Sequence, residues 1–456
     1  MQARHTRWVF AAAVAAAALL LALPAAAQLQ TGNLYGVVAD DQGSPLPGVT
    51  VTLTGQGAPA VQVTNAQGQF RFLGLSPGSY ALRAELEGFN TVEYPNVVIR
   101  VGGNTNIEVS VSAAVEDVIT VTAESPLLDE RKISTGANIN ATELQKVPSA
   151  RDPWAVLQTV PGVQMDRINV GGNEGGQQSQ YVGPGSPGDQ SQWAVDGVLI
   201  TDMGAIGSSP TYYNFDAFEE MQATTGGSDA TMSTGGVVLN MVTKRGTNEW
   251  RASGRFIKAD ESWQSDSDVD ASDLGEAGPW NNNRAQADFK QGNRIVSVED
   301  FGADVGGPII RDRLWLWVNY GKQDIQLLTI ADVADDTELD TYGGKLNAQV
   351  TSNNSGVFFY NYGDKIKTGR NASPTRPQET TWNQTGPTDI WKLEDTHIFS
   401  SDFYLTGLIS FVGGGFQLTP QGGLDGPIPT LVLTTGIWQD NFIHHETERP
   451  QEQAKL

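Results

Sequence analysis

The sequence predicts a mainly β chain in three successive parts: a β-sandwich, a smaller mixed α/β domain, and the first strands of an antiparallel transmembrane β-barrel. Three observations predict it. Residues 32–114 hold six or seven short strands, each alternating apolar and polar side chains between turn signals. Residues 127–248 are glycine-rich and irregular, with short capped helices and one strongly apolar strand. From Glu249 onward, aromatic strands are joined by alternately long and short connections.

The chain has 456 residues, enough for two or three domains. Residues 1–27 predict a secretory signal peptide. Arg4 and Arg7 make a basic start, Trp8–Leu23 is an apolar run, and Ala25–Ala27 is a small-residue cleavage site before Gln28. Cleavage is expected between Ala27 and Gln28. No later stretch is long and apolar enough for a transmembrane helix, a test that is blind to barrels. The formal net charge of −23 argues against nucleic acid as a partner, since phosphate binding needs a basic surface. With four His and no Cys, a zinc or thiol enzyme is not expected, and no cofactor or metal is called for.

In the first part, Val49, Val51 and Leu53 alternate with Thr50, Thr52 and Thr54. Tyr80, Leu82, Ala84 and Leu86 alternate with Ala81, Arg83, Glu85 and Glu87. One apolar face per strand is what two packed sheets require. The run Asp117-Val118-Ile119-Thr120-Val121-Thr122-Ala123 follows. It is a β-prone segment whose free backbone groups suit pairing with another protein's sheet edge, or it is a last strand of the sandwich.

In the second part, Asn140 and Glu143 form a capping box for a short helix, and Asp152-Pro153 starts another with Trp154, Leu157 and Val160 as its buried stripe. Asp196-Gly197 is a tight-turn signal. The run Val237–Lys244, between Gly235-Gly236 and Gly246, is the joint around which the chain is organised. Two tempting motifs are declined. Gly183–Gly188 fits a dinucleotide-loop spacing but carries two prolines and no strand–helix context. Asp266, Asp268 and Asp270 resemble a calcium loop, but Ala271 and Ala277 stand where glycine and glutamate are needed.

In the third part, strands are expected near Trp250–Lys258, Phe301–Val305, Leu314–Tyr320, Tyr342–Val350, Val357–Tyr362, Asp389–Phe399 and Phe403–Val412. Spans of roughly 9–11 residues fit bilayer crossing. Trp315, Trp317, Tyr320, Phe358, Phe359 and Tyr360 are expected in interfacial girdles. The first long loop, 259–283, has seven acidic residues and no Lys or Arg. Its Trp263 and Trp280 are candidates for stacking on a ligand, and its charge leans toward a neutral or cationic one.

Two strings in the first part, GVVADDQGSPLPGVTVTLTG and TNAQGQFRFLGLSPGSYALRAELEGF, resemble the carboxypeptidase-regulatory-like domain, a transthyretin-like or carbohydrate-binding-like sandwich. The string DPWAVLQTVPGVQMDRINVGGNEGGQQSQY, the Val195-Asp196-Gly197 turn, and Val238, Asn240, Thr243, Lys244 and Gly246 are similar to the plug domain of TonB-dependent outer-membrane receptors. The resemblance implies a sandwich over 28–114, a linker at 115–126 with residues 117–123 as a TonB box, a plug over 127–248 and an incomplete barrel over 249–456. It implies the outer membrane of a Gram-negative-type cell, its lipid, a TonB-type energy-coupling protein, and an extracellular ligand such as a siderophore, carbohydrate, vitamin or peptide. It also implies a longer receptor than this chain, since about seven strands cannot enclose such a plug. A carbohydrate-binding surface protein and a structural or adhesive envelope protein are the alternatives.

Overall fold

A computed structural model describes residues 31–456, apart from 114–117, 121–134, 147–149, 167–168, 170–171, 180, 203, 210, 228–233, 266–292, 330–332, 374, 401–402, 426, 435 and 442. The expected signal peptide lies outside the described residues.

Seven strands build the sandwich: β1 (Gly32–Asp40), β2 (Thr50–Thr54), β3 (Ala60–Val63), β4 (Gln69–Leu75), β5 (Gly78–Glu85), β6 (Thr91–Ile99) and β7 (Asn104–Val111). One sheet runs β4-β1-β7 and the other β3-β2-β5-β6. The alternation holds: Leu34, Val51, Leu53, Phe72, Leu82, Ala84, Val97 and Val109 form one buried core, while Thr54, Ala81 and Arg83 face outward. Strand β3 turns Val61 and Val63 outward, so no apolar face marks it, and it has no counterpart in the sequence reading. A three-residue strand, β8 (Val118–Thr120), adds to the second sheet by pairing parallel with Thr91–Glu93 of β6.

The plug follows. Strand β9 (Thr135–Asn140) leads into α1 (Ala141–Lys146). Asn140 and Glu143 cap each other's amides at 2.9 and 3.0 Å, the reciprocal box read from the sequence. Helix α2 (Pro153–Leu157) is capped by the Asp152 carboxylate, which accepts from the Trp154 N–H at 2.8 Å. Trp154, Leu157 and Val160 are all buried. After β10 (Gln164–Met165) and β11 (Tyr181–Val182) come β12 (Gln192–Val195), β13 (Val198–Leu199), β14 (Phe218–Gly226) and β15 (Val238–Thr243). These form a five-stranded sheet in the order β13-β12-β15-β14-β9. Strand β15 is central and buried on both faces, so its two apolar stripes each have a packing partner.

The remaining strands form one antiparallel sheet: β16 (Arg251–Asp260), β17 (Arg294–Ile310), β18 (Leu314–Leu328), β19 (Asp336–Thr351), β20 (Asn354–Arg370), β21 (Trp382–Thr385), β22 (Thr388–Ser400) and β23 (Phe403–Pro420). A hairpin of β24 (Thr430–Val432) and β25 (Ile437–Gln439) lies in the next long connection. Strands β26 (His445–Glu448) and β27 (Gln451–Lys455) then pair with β23.

The sheet's polarity is inverted relative to a water-soluble sandwich. Asp304, Asn319, Thr341, Lys345, Asn347, Asn361, Lys392 and Ser410 are buried against the plug, whereas Phe256, Val318, Tyr342, Phe358, Leu393 and Ile409 are exposed outward. A lipid-facing barrel wall requires this arrangement.

Three expectations need correction. Several strands run to 15–18 residues rather than 9–11. The added length projects toward the long loops and carries polar pairs, such as Lys322–Glu338 at 2.9 Å and Lys258–Glu299 at 3.0 Å. The girdle set is also split by the two-residue period. Tyr320 and Phe358 are exposed on the outer face, but Trp315, Trp317 and Phe359 point inward and are at most 3% exposed. Finally, β27 was not expected as a strand, because Gln-Glu-Gln-Ala-Lys lacks β-branched and aromatic residues.

Inverted polarity predicts that Leu393→Lys destabilises the full-length barrel by about 2–4 kcal/mol at mid-membrane depth. Denaturant unfolding in lipid vesicles measures it, and wild-type stability would remove Leu393 from the lipid face.

Candidate functional site

The plug meets the sheet along a seam of buried charges. At its centre is the hairpin turn between β12 and β13. Val195 pairs with Val198, which leaves Asp196 and Gly197 as the two turn residues, both with positive φ (46° and 76°). Such a turn suits Asp-Gly and matches the twist of a hairpin. The turn places the Asp196 carboxylate beside the end of β15, where it accepts from the Thr243 hydroxyl at 2.6 Å and the Thr243 N–H at 3.1 Å. Two separate sequence motifs therefore form one structure.

Three barrel lysines converge on it. Lys345 of β19 sits 2.9 Å from the Asp196 carboxylate and donates to the Thr243 carbonyl at 2.9 Å. Lys392 of β22 donates to the Asp196 carbonyl at 2.8 Å, and Lys455 of β27 to the Gly197 carbonyl at 2.6 Å. Burial alone raises the Asp196 carboxyl, but Lys345 and Lys392 outweigh it and hold the group below the usual carboxylate range.

Further along the seam, Lys244 pairs with Asp304 of β17 at 3.1 Å, and the Trp317 indole N–H donates to the same carboxylate at 3.2 Å. Asp216 of the plug pairs with both Arg151 and Arg255, and Arg255 also holds Asp300 at 2.5 Å. Asp216 titrates low because the two guanidiniums overcome its desolvation. Gly246 passes the barrel wall so closely that a Cβ there would lie 2.4 Å from the Leu316 carbonyl oxygen. Asn240 is buried within β15, opposite Gln222 of β14. Thus Asp196, Gly197, Thr243, Lys244 and Gly246 all lie on or beside the seam.

The last strand was not legible as part of this site. Alternate residues of β27 run along the plug's edge. Gln451 donates to the Thr201 carbonyl at 3.0 Å, and Gln453 exchanges hydrogen bonds with both backbone groups of Leu199 at 2.5 and 3.0 Å. The i, i+2, i+4 spacing of Gln451, Gln453 and Lys455 is the only sequence signal for it.

Above the seam, on the side of the long loops, a cavity of about 430 Å³ opens between plug and wall. Lys365, Lys367, Arg370 and Arg449 line it together with Glu174, Asp202, Asp335, Tyr212 and Phe416. Arg449 pairs with Asp202, and Lys367 with Asp335. The lining is therefore polar and charged, with opposite signs side by side. Of the ligand-loop candidates, Trp263 does not reach it: it is 70% exposed and absent from the lining. Trp280 lies outside the described residues. Of the expected TonB box, Val118, Ile119 and Thr120 form β8 on the sandwich edge, and Asp117, Val121, Thr122 and Ala123 lie outside the described residues.

Residues 33–112 match the carboxypeptidase regulatory-like domain family, and residues 130–238 match the TonB-dependent receptor plug domain family. With a regulatory-like sandwich, a plug and an inverted-polarity sheet in that order, the chain has the domain order of the TonB-dependent receptors and carries their plug domain. It is 29% identical over 326 residues to the TonB-dependent transporter Oar of Myxococcus xanthus, covering 67% of this chain and 28% of that protein. It is 27% identical over 150 residues to the ferrienterobactin receptor of Escherichia coli K12, covering 30% of this chain and 20% of that one. The solved siderophore receptor PirA of Acinetobacter baumannii shares the fold at TM-score 0.50 and 15% identity, over 72% of this chain and 45% of its own. The chain thus spans less than a third of the length of either curated relative. Receptors of this class belong to the outer membrane and are not enzymes.

Removing one member of a buried ion pair leaves the other charge uncompensated, at a cost of about 3–5 kcal/mol. Asp196→Ala is therefore expected to loosen the plug against Lys345 and Lys392, seen as faster hydrogen exchange in β12 and β15 of the full-length receptor. Exchange at the wild-type rate would mean that the seam is held elsewhere.

Glu220 on β14 gives a pH prediction. Burial pushes its carboxyl up to about 7, against the pull of Asn138, the Val101 N–H and Arg100. Its folded value lies above the ordinary 4.5, so its contribution to stability is full below about pH 4.5 and is lost as pH rises through about 7. Glu220→Gln should flatten the pH dependence of β14 hydrogen exchange across that window. An unchanged slope would assign the dependence to another group.

Proposed function

We propose that this chain is the substrate-gating part of an outer-membrane importer, exported by its signal peptide and energised by a TonB-type protein. The domain limits proposed are 28–114 for the sandwich, 115–126 for the linker, 127–248 for the plug and 249–456 for barrel strands. Ligand binds on the long-loop side, at the plug's outward face and the loops, including the one bearing Trp263 and Trp280. A pull on the segment 117–123 then rearranges the plug.

The observation that carries this reading is the seam itself. The contacts along it from Asp196 to Asp300 are hydrogen bonds and ion pairs, beside a smaller apolar patch where Phe359, Ile390 and Val412 of the wall join the plug core. A seam rich in polar contacts can part and be rehydrated, whereas an apolar core would resist separation. The cavity's cations, Lys365, Lys367, Arg370 and Arg449, face Glu174, Asp202 and Asp335, so its lining carries little net charge and an anionic chelate is not repelled there. Ferric catecholates therefore belong among the probes beside cobalamin, oligosaccharides and peptides. Similarity to a ferrienterobactin receptor also supports including them.

Uptake of each labelled probe by cells carrying the full-length receptor tests the proposal. Import of at least one probe is expected, falling at least tenfold when the proton gradient is collapsed. Import of none, with the receptor folded in the outer membrane, would favour an adhesive or structural role. Ile119→Pro, which removes a backbone donor and bends the strand, is expected to abolish that import while leaving probe binding intact. Full import by this variant would place the coupling strand elsewhere.

A further inference from the structure

The sandwich touches more than its own linker. Its strand β6 (Thr91–Ile99) ends beside Val101, which is 1% exposed. Both backbone groups of Val101 are held by the plug. The Val101 N–H donates to the Glu220 carboxylate at 3.4 and 3.5 Å, and the Val101 carbonyl accepts from the Gln222 amide at 3.4 Å. Glu220 and Gln222 are two apart on β14, so they project from one face. Together they mimic a rung of a β-ladder using side chains. The gripped strand is a structural one: Met221 pairs with Met241 of β15, two residues before Thr243 of the seam.

The other end of β6 makes the second contact. Thr91, Val92 and Glu93 pair with Val118, Ile119 and Thr120. One sandwich strand therefore holds the proposed coupling run at its start and the plug just beyond its end. Further sandwich contacts reach the plug's end and the barrel: the Asn248 amide donates to the Gly57 carbonyl at 3.5 Å, and Tyr404 hydrogen bonds with Thr31. These fix the sandwich under the plug on the short-turn side of the wall.

We propose that the sandwich is a latch on the plug: β6 parks the coupling run and braces β14 through Val101, and this brace must open before the plug can rearrange. The latch rests on the reading that the plug moves during import. Geometry makes the order of events specific. Strand β9 is the plug sheet's edge, and it pairs with β14. Chain drawn from the coupling run reaches β9 first, and β14 is the next strand in line. Its far partner β15 is anchored at the seam, so once β9 has left, the contact on β14 that yields next is the one to Val101.

Two experiments on the full-length receptor test the latch. In the first, Gly102→Cys and Gln222→Cys are joined by a short, reducible bis-maleimide. An added Cβ at Gly102 lies 3.6 Å from the Gln222 amide nitrogen, close enough to link, and because Gly102 has φ 62° the unlinked double-cysteine receptor is the reference for binding and import. Probe binding should stay within twofold of that reference, import should fall at least tenfold, and reduction of the linker should restore import. Import at the reference rate in the linked receptor would overturn the latch, because the sandwich would then travel with the plug.

The second experiment needs no import, so its result stands even if the importer reading fails. Receptor in lipid is pulled by a handle on Thr120→Cys. The extension step that frees β14, after β8 has left β6 and β9 has left β14, should occur at a clearly lower force in the Glu220→Ala, Gln222→Ala variant than with both side chains present. Equal forces for that step would overturn the proposal.

Discussion

Everything else in this structure depends on one buried carboxylate. Asp196 lies at a two-residue turn, within reach of Thr243 from its own domain and of lysines from two barrel strands. A buried carboxylate without partners would neutralise itself. Here the partners are split between plug and wall, so neither body satisfies its polar groups without the other. That division fixes the plug's position and orientation. Lys392 keeps Glu394 of its own strand at 2.9 Å, but Lys345 pairs with Asp196 of the plug, so a plug shifted away from it would leave a buried ammonium without its carboxylate.

The inverted sheet follows from the same constraint. A wall with lipid on one side and a charged plug on the other must place its polar side chains inward, and Lys345, Asn347, Asn361 and Lys392 lie there. Trp315, Trp317 and Phe359 are the informative exceptions. Their indole nitrogens or ring faces have polar partners inside: Trp315 donates to Asn248, Trp317 to Asp304, and Lys345 lies over the Phe359 ring at 5.8 Å. An aromatic side chain with a polar handle can serve a polar interior as well as a membrane interface.

These cases show what could be read in advance. Local features were legible: the Asn140–Glu143 box, the Asp152 cap and the Asp196-Gly197 hairpin depend on residues within a few positions. The sandwich core was legible because alternation is also local. Convergence was not. Lys345, Lys392 and Lys455 lie 149 to 258 residues from the turn they contact, and each alone resembles an ordinary charged residue in a strand. Aromatic content was misread where residue type was weighed above the two-residue period. Strand β27 was missed because its stabilisation comes from Gln453 and its neighbours contacting the plug, and no propensity scale includes that.

The two joints of the plug differ in kind. Around Asp196, hydrogen bonds are short, 2.6–3.1 Å, and charge-assisted on one or both sides. Such bonds are roughly twice as strong as neutral ones. At Val101 they are 3.4–3.5 Å, and burial pushes Glu220 up to about 7, so it is only partly ionised near neutrality. Hydrogen bonds that long grip weakly. The plug is therefore held firmly by the wall and lightly by the sandwich. The light joint lies just beyond β6, the strand on which the proposed coupling run is paired, so applied force meets the weaker contact before the stronger one. With the opposite arrangement, a pull would strip the plug from the wall while the sandwich still held it from below, and no partial rearrangement would be possible.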